Sequence, residues 1–165
     1  MSPTLAGIRV AVVTVSDRSF AGARDDLTGP ALCGGLAAVN AHLSPRIVPD
    51  DASAIAQVIE DVSADGARAV VTTGGTGIGP RDVTPEATAP LIAVPLPGIP
   101  ELLRQRDAGR TPLVALSRGL AGLTAHEPPA LIINLPGSMS AVESALEVLP
   151  ALIAHAIAQV DGGDH

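Results

Sequence analysis

Three short apolar runs, Arg9 to Ser16, Ala67 to Thr73 and Ala130 to Leu135, each break off into polar or glycine-rich residues. They are rich in Val and Ile and show little strict alternation, which is how a strand buried on both faces reads. Arg46 to Pro49 and Pro112 to Leu116 are expected to be two further strands. Between them the period changes. Ile55, Val58, Ile59 and Val62 fall at i, i+3, i+4 and i+7 in a helix that starts at Ser53 and stops at Gly66. Leu27 to Leu43, Pro85 to Ala93 and Gly98 to Asp107 are expected to be helices, the first weakened by Gly34-Gly35. A last helix is expected from Ser140, with Glu143 completing a capping box and Pro150 kinking or splitting it. Its tail, Asp161 to His165, is expected to fray.

Strands alternating with helices predict an α/β class chain: three α/β/α layers around a mostly parallel sheet. With no repeat, linker or low-complexity segment, residues 1–165 form one domain with its core over about 8–160. Ligands of such sheets bind beyond the carboxyl ends of the strands. Four polar clusters lie there: Ser16-Asp17, Pro49-Asp50, Gly74 to Asp82 and Asn134 to Ser138.

Composition removes several function classes. The net charge is −7, and one Phe is the only aromatic residue, so neither phosphate tracking nor base stacking on nucleic acid is expected. All ten basic residues are Arg, which excludes a Schiff-base lysine and the lysine of a Walker loop. The single Cys33, in an apolar segment, is expected to pack as a small hydrophobe. The four histidines have no metal-ligand spacing, and no G-x-S-x-G elbow is present. The first residues lack a basic and apolar leader and no run is long enough to span a membrane, so a cytoplasmic protein is expected.

The stretch Thr72 to Thr88, TTGGTGIGPRDVTPEAT, carries the strongest chemistry. Gly74, Gly75, Gly77 and Gly79 permit positive φ and close approach, so their amides can form an anion nest. Thr84 as N-cap and Pro85 as first helical residue would start a helix whose positive end favours anions. The spacing is one residue short of G-x-G-x-x-G. Asp82 beside such a nest repels phosphate unless a cation lies between them. Mg²⁺ held by one or two carboxylates and by substrate phosphates removes the conflict. Asp50 is a candidate second carboxylate, with helix capping by Asp50 or Asp51 as the alternative. In Asn134-Leu-Pro136-Gly137-Ser138, Asn134 could bond a base or pterin edge, and Gly137 and Ser138 could supply donors. Ser117-Arg118 could place a cation near phosphate.

TGGTG, PRDVTPEAT, PGIPELLR, LSRGLAG and LIINLPGS, together with VSDRSFAGARDDLTGPAL and VPDD, resemble the MogA/MoaB family of molybdenum-cofactor biosynthesis proteins from about Arg9 to Val160. The resemblance implies a molybdopterin-binding fold, usually a homotrimer. It also implies a molybdopterin adenylyltransferase that moves AMP from Mg-ATP to the phosphate of molybdopterin and releases pyrophosphate. Asp50 and Asp82 match the family's required acidic residues, expected here to hold Mg²⁺. Ser16, Asp17, Gly74, Gly75, Thr76, Gly77, Thr84, Glu86, Ser117, Arg118, Asn134, Pro136, Gly137 and Ser138 are the implied nucleotide and pterin contacts. Hand-over of the product to a molybdate-insertion protein is a further implication. Two other readings remain: a molybdopterin-binding protein without transferase activity, and a nucleotide-processing domain of the competence-damage type, which fits the glycine loop less well.

Overall fold

The computed structural model describes residues 3–163. Six strands form one sheet in the order β2-β1-β3-β6-β5-β4: β1 Arg9–Val15, β2 His42–Val48, β3 Ala69–Thr73, β4 Ile92–Pro95, β5 Ala121–Thr124 and β6 Leu131–Leu135. β2, β1, β3 and β6 are mutually parallel, while β5 and β4 continue the sheet antiparallel. The helices are α1 Asp17–Phe20, α2 Thr28–Ala37, α3 Ala52–Ala64, α4 Thr84–Thr88, α5 Gly98–Asp107, α6 Met139–Leu146 and α7 Leu149–Val160.

Strand periodicity sorts the core into two layers. Val10, Val12, Ala69, Val71, Leu131, Ile133 and Leu135 pack with Leu32 and Leu36 of α2, Val142 and Ala145 of α6, and Leu149, Ile153 and Ile157 of α7. The alternate residues Ala11, Val13, Val15, Val70 and Ile132 pack with Ile55, Ile59 and Val62 of α3 and Ala87 of α4. The three layers predicted from sequence are present. Cys33 is half-buried against the first layer, and burial raises its thiol, with Asp26 adding to the shift.

Several element boundaries differ from expectation. The helix expected over 27–43 stops at Ala37, because Asn40 turns the chain with φ 67° and β2 begins at His42 to pair with Arg9 of β1. Pro112–Leu116 is a 3₁₀ helix rather than a strand; the Thr111 hydroxyl accepts from Leu113 N–H, and Leu113 stays 69% exposed. The strand on that side is β5. The helix expected over 85–93 ends at Thr88 and passes through a 3₁₀ turn into β4. Ser138, not Ser140, caps α6 by accepting from Ala141 N–H at 3.3 Å. The last helix is split, as the proline suggested, into α6 and α7, which meet at a 54° bend with Pro150 in the first turn of α7. No single helix among the described residues is long and apolar enough to cross a membrane. Met1, Ser2 and the last two residues of the expected fraying tail, through His165, lie outside the described residues.

Candidate functional site

Four parallel strands bring their carboxyl ends to one rim. Ser16 N–H donates to Val48 O at 2.9 Å, and Gly74 N–H to Leu135 O at 3.0 Å, which joins the ends of β1, β2, β3 and β6 side by side. The order places β2 on one side of β1 and β3 on the other, so the chain switches direction between β1 and β3, where a crevice opens. Ser117 and Arg118 follow a 3₁₀ helix, yet they reach the same rim. β5 runs antiparallel to β6, so its start lies beside the end of β6, with Ala121 opposite Ile133.

The loop after β3 turns on two glycines. Gly74 has φ 105° and Gly75 φ 67°, and a side chain on Gly74 would enter the carbonyl of Val15. The other two glycines of the run do not need positive φ. Gly77 and Gly79 instead lie against Asp82, with a Cβ on either only 2.8 Å from its Oδ2. Asp82 Oδ2 accepts from Gly79 N–H at 2.8 Å, so this carboxylate closes its own loop through one oxygen. Thr84 is fully buried in the first turn of α4, with Val83 as N-cap, and its hydroxyl donates to Gly74 O at 2.9 Å. Thr84 is thus a clamp on the glycine turn, not a helix cap.

Arg118 holds the loop from the other side. Its Nε donates to Gly77 O at 2.8 Å, its Nη2 to Asp82 O at 2.9 Å, and its backbone N–H to Thr76 O at 2.8 Å. It also pairs with Glu86, which holds the Glu86 carboxyl below the usual range and raises Arg118 further. The expected phosphate-facing cation is therefore committed to bracing the loop. Asn134 departs from expectation in the same way. It is 3% exposed; its Nδ2 donates to Thr72 Oγ1 at 3.0 Å and Thr88 Oγ1 at 3.3 Å, and its Oδ1 accepts from Leu120 N–H at 3.0 Å. Its amide ties β6 to β3, α4 and the start of β5 rather than facing a ligand edge.

Asp50 and Asp51 divide the two duties that sequence left open. Asp51 caps α3 by accepting from Ala54 N–H at 2.8 Å. Asp50 accepts from Asp17 N–H at 2.8 Å, while Asp50 N–H donates to Asp17 Oδ1 at 2.9 Å. That backbone bond, with the guanidinium of Arg81 at 3.0 and 3.1 Å, holds the Asp17 carboxyl below the usual range. Asp17 therefore positions Asp50 and anchors the exposed Arg81. Ser16 caps α1 by accepting from Ser19 N–H at 3.2 Å. Among the described residues no cluster of three acidic, His or Cys side chains stands ready for a metal. Asp50 and Asp82 fit a cation only in the manner of Mg²⁺, which takes one or two carboxylates and fills its shell from substrate phosphates and water.

Two cavities flank the crevice. One, of about 480 Å³, is lined by Gly74, Gly75, Thr76, Gly77, Asp82 and Ser117, by Pro136 to Ser138, and by Asp107, Arg110, Thr111, Leu113, Val114 and Leu116. The other, of about 420 Å³, is lined by Ser16, Arg24, Asp25, Asp26, Asp50, Thr73 and Met139 among others. Gly74, Gly137 and Ser138 border both. A Cβ on Gly137 would stand 3.2 Å from the Gly74 Cα, so the two loops touch at this shared floor. Among the described residues the amides of Gly75, Thr76, Gly77, Gly137 and Ser138 donate to no protein acceptor, which suits an anion nest.

Sequence reasoning missed the wall formed by the end of α5 and the following 3₁₀ helix, and it missed Arg81 and Asp26. Asp26 Oδ2 accepts from Thr14 Oγ1 at 2.7 Å and Oδ1 from Gly29 N–H at 3.0 Å. The run DDLTGP, a helix-start signal, could have found Asp26. Arg81 and the α5 wall carry no local signal.

Residues 11–155 match the model of a family described as a probable molybdopterin binding domain. The whole chain is 40% identical over 168 residues to a molybdenum cofactor biosynthesis bifunctional protein of Synechococcus elongatus, of which it spans 52%. The first curated relatives it matches are longer, and it spans about half of their length or less. A molybdopterin adenylyltransferase of Pyrococcus furiosus is 35% identical over 87% of this chain and 86% of its own. A solved structure of MogA superposes with a TM-score of 0.86 at 34% identity, covering 92% of this chain and 99% of that one.

Proposed function

This chain belongs to the molybdopterin-binding domain family of MogA and MoaB, and we propose that it transfers AMP from Mg-ATP to the phosphate of molybdopterin, giving adenylyl-molybdopterin and pyrophosphate. The observation that carries this reading is the pair of cavities joined at Gly74, Gly137 and Ser138, with Asp82 in one and Asp50 in the other. A two-substrate transfer needs two pockets whose reacting groups meet at a common border.

The molybdopterin phosphate is the nucleophile. One of its oxygens forms a bond to the α-phosphorus of ATP while the bond from that phosphorus to the β-phosphate bridging oxygen breaks, and pyrophosphate leaves. A phosphate monoester is already anionic near neutral pH, so the absence of a catalytic histidine is no obstacle. What the protein supplies is alignment and charge neutralisation. The amides of Gly75 to Gly77, Gly137 and Ser138 hold phosphate oxygens at the shared floor. Arg118, Thr84 and Asp17 act one step back, fixing the loop and Asp50. Asp50 and Asp82 would hold Mg²⁺, which when bound neutralises charge on the triphosphate. A homotrimer, a cytoplasmic location and delivery of the product to a molybdate-insertion protein accompany this reading.

The runner-up, a molybdopterin-binding protein without transfer, has only one use for two carboxylate-bearing cavities. The deciding assay supplies purified chain with molybdopterin and Mg-ATP and measures adenylyl-molybdopterin and pyrophosphate. The wild-type chain forms both. Asp82→Ala lowers the rate about 10²-fold or more and retains molybdopterin binding. Transfer at the wild-type rate would remove Asp82 from the chemistry, and binding without any transfer by the wild-type chain would establish the runner-up.

A further inference from the structure

Asp107 is the last residue of α5 and lines the larger cavity. Its side chain is 14% exposed, yet its Oδ1 is shielded and has no hydrogen-bond partner. Arg110, three residues on, holds its Nη1 4.0 Å from that oxygen, too far for a hydrogen bond, and its Nη1 donates instead to Ser140 O at 3.4 Å, while the adjacent Arg106 pairs with Glu147. A shielded carboxylate oxygen without a donor is unfavourable unless a ligand completes it. Rotation about the soft terminal bond of an Asp presents either oxygen to the cavity.

The surroundings say what kind of ligand this is. Leu113, Val114, Leu116 and Ala141 give the cavity apolar walls suited to the face of a flat ring. Apart from Asp82, which the transfer reading assigns to the cation, the loop amides and the Ser117 and Ser138 hydroxyls at its floor can donate and suit anions. Asp107 is an acceptor of opposite preference, and its charge repels phosphate. A carboxylate matches two adjacent N–H donors, because each oxygen accepts one. The 2-amino-4-oxo ring of a pterin has such an edge in its 2-amino group and N3–H. Adenine sets its amino group beside ring-nitrogen acceptors, which a carboxylate repels.

We propose that Asp107 is a specificity-determining residue that accepts hydrogen bonds from the 2-amino and N3–H edge of the pterin ring, which seats molybdopterin in the larger cavity and leaves ATP to the cavity of Asp50. This rests on the proposed transfer for the identity of the two substrates, but its test does not depend on turnover. The probes are 6-hydroxymethylpterin and the matching lumazine, in which a 2-oxo group replaces the 2-amino group. Each is titrated by fluorescence into the purified full chain. The wild-type chain binds the pterin about tenfold more tightly or better, since a site built for a donor rejects the analogue lacking it. Asp107→Asn, which keeps one acceptor and sets an amide donor against the other N–H, reduces the preference to about threefold or less. It leaves ATP binding unchanged. Equal binding of the two probes by the wild-type chain, binding of neither, or a preference that survives Asp107→Asn overturns the assignment. The wild-type comparison reads out even if the variant fails to fold. If the wild-type chain discriminates between the probes but forms no adenylyl-molybdopterin, the transfer reading fails and the role of Asp107 stands. If it transfers but does not discriminate, the reverse holds.

Discussion

The loop after β3 and the turn after β6 border the same crevice, but they are held in different ways. The β3 loop is long and is braced by side chains from three directions: Thr84 on Gly74, Asp82 on Gly79, and Arg118 on Gly77 and Asp82. The β6 turn is short. Its fastenings are the Thr73 hydroxyl on Pro136 O at 3.0 Å and the Ser138 cap on α6. A long loop loses more conformational freedom when it orders, so it needs more ties to present a carboxylate at a fixed place. The short turn presents backbone and a hydroxyl, and strand and helix already fix these.

This contrast ranks a set of substitutions. Gly74→Ala has the largest effect, because it combines a left-handed φ with a collision against Val15 O. Strain of roughly 1–3 kcal/mol or more is expected from the backbone alone, read as lost denaturant stability and lost transfer. A fully stable Gly74→Ala chain would show that the turn is not as tight as described. Thr84→Val follows. It leaves Gly74 O without its buried donor and costs about 1–3 kcal/mol by chemical denaturation. Arg118→Ala loosens the loop without touching a substrate. Transfer falls by up to about 10²-fold through misplacement of Asp82, while the melting temperature changes less than in Thr84→Val. If the rate is unaffected, the bracing by Arg118 is dispensable. Ser138→Ala, on the other loop, removes a single cap and costs about 1 kcal/mol.

The smallest effect is a pH dependence. Glu86 is held below its ordinary value by Arg118, and Asp17 by the Asp50 N–H and Arg81. A lowered folded value means that each contributes stability above the ordinary carboxylate range near about pH 4, and that this is lost as pH falls through the lowered values. Both groups are exposed, so solvent screening keeps the effect small. Glu86→Gln should flatten the acid limb of the stability curve by lowering stability slightly at neutral pH, where the charged pair contributes, and leave it unchanged at the acid end.

The same distinction explains how much the sequence revealed. β1, β3 and β6 were readable because a strand buried on both faces is a continuous apolar run, and the rim of polar clusters followed from their parallel order. β5, with the sequence AGLT, and β4, with IAVP, are short and carry Gly or Pro. They are strands because β6 pairs with β5 and β5 with β4, which no local pattern announces. The apolar Pro112–Leu116 run misleads because both of its Leu residues, Leu113 and Leu116, are exposed and line the larger cavity. At the site, Asp50, Asp82 and the glycine turn were legible from residue type and position. The duties of Arg118, Asn134 and Thr84 were not, since each is defined by partners 10 or more residues away.

The central claim is that two substrates occupy two cavities that meet at Gly74, Gly137 and Ser138. Calorimetric titration of the purified chain tests it most directly, with Mg²⁺ and an ATP analogue blocked between the α- and β-phosphates, in the absence and presence of saturating molybdopterin. The account predicts that both bind at once, one of each per chain, and that saturating molybdopterin leaves the analogue's stoichiometry intact. Mutually exclusive binding, in which molybdopterin displaces the analogue, would mean that the two cavities serve one ligand and would contradict the account.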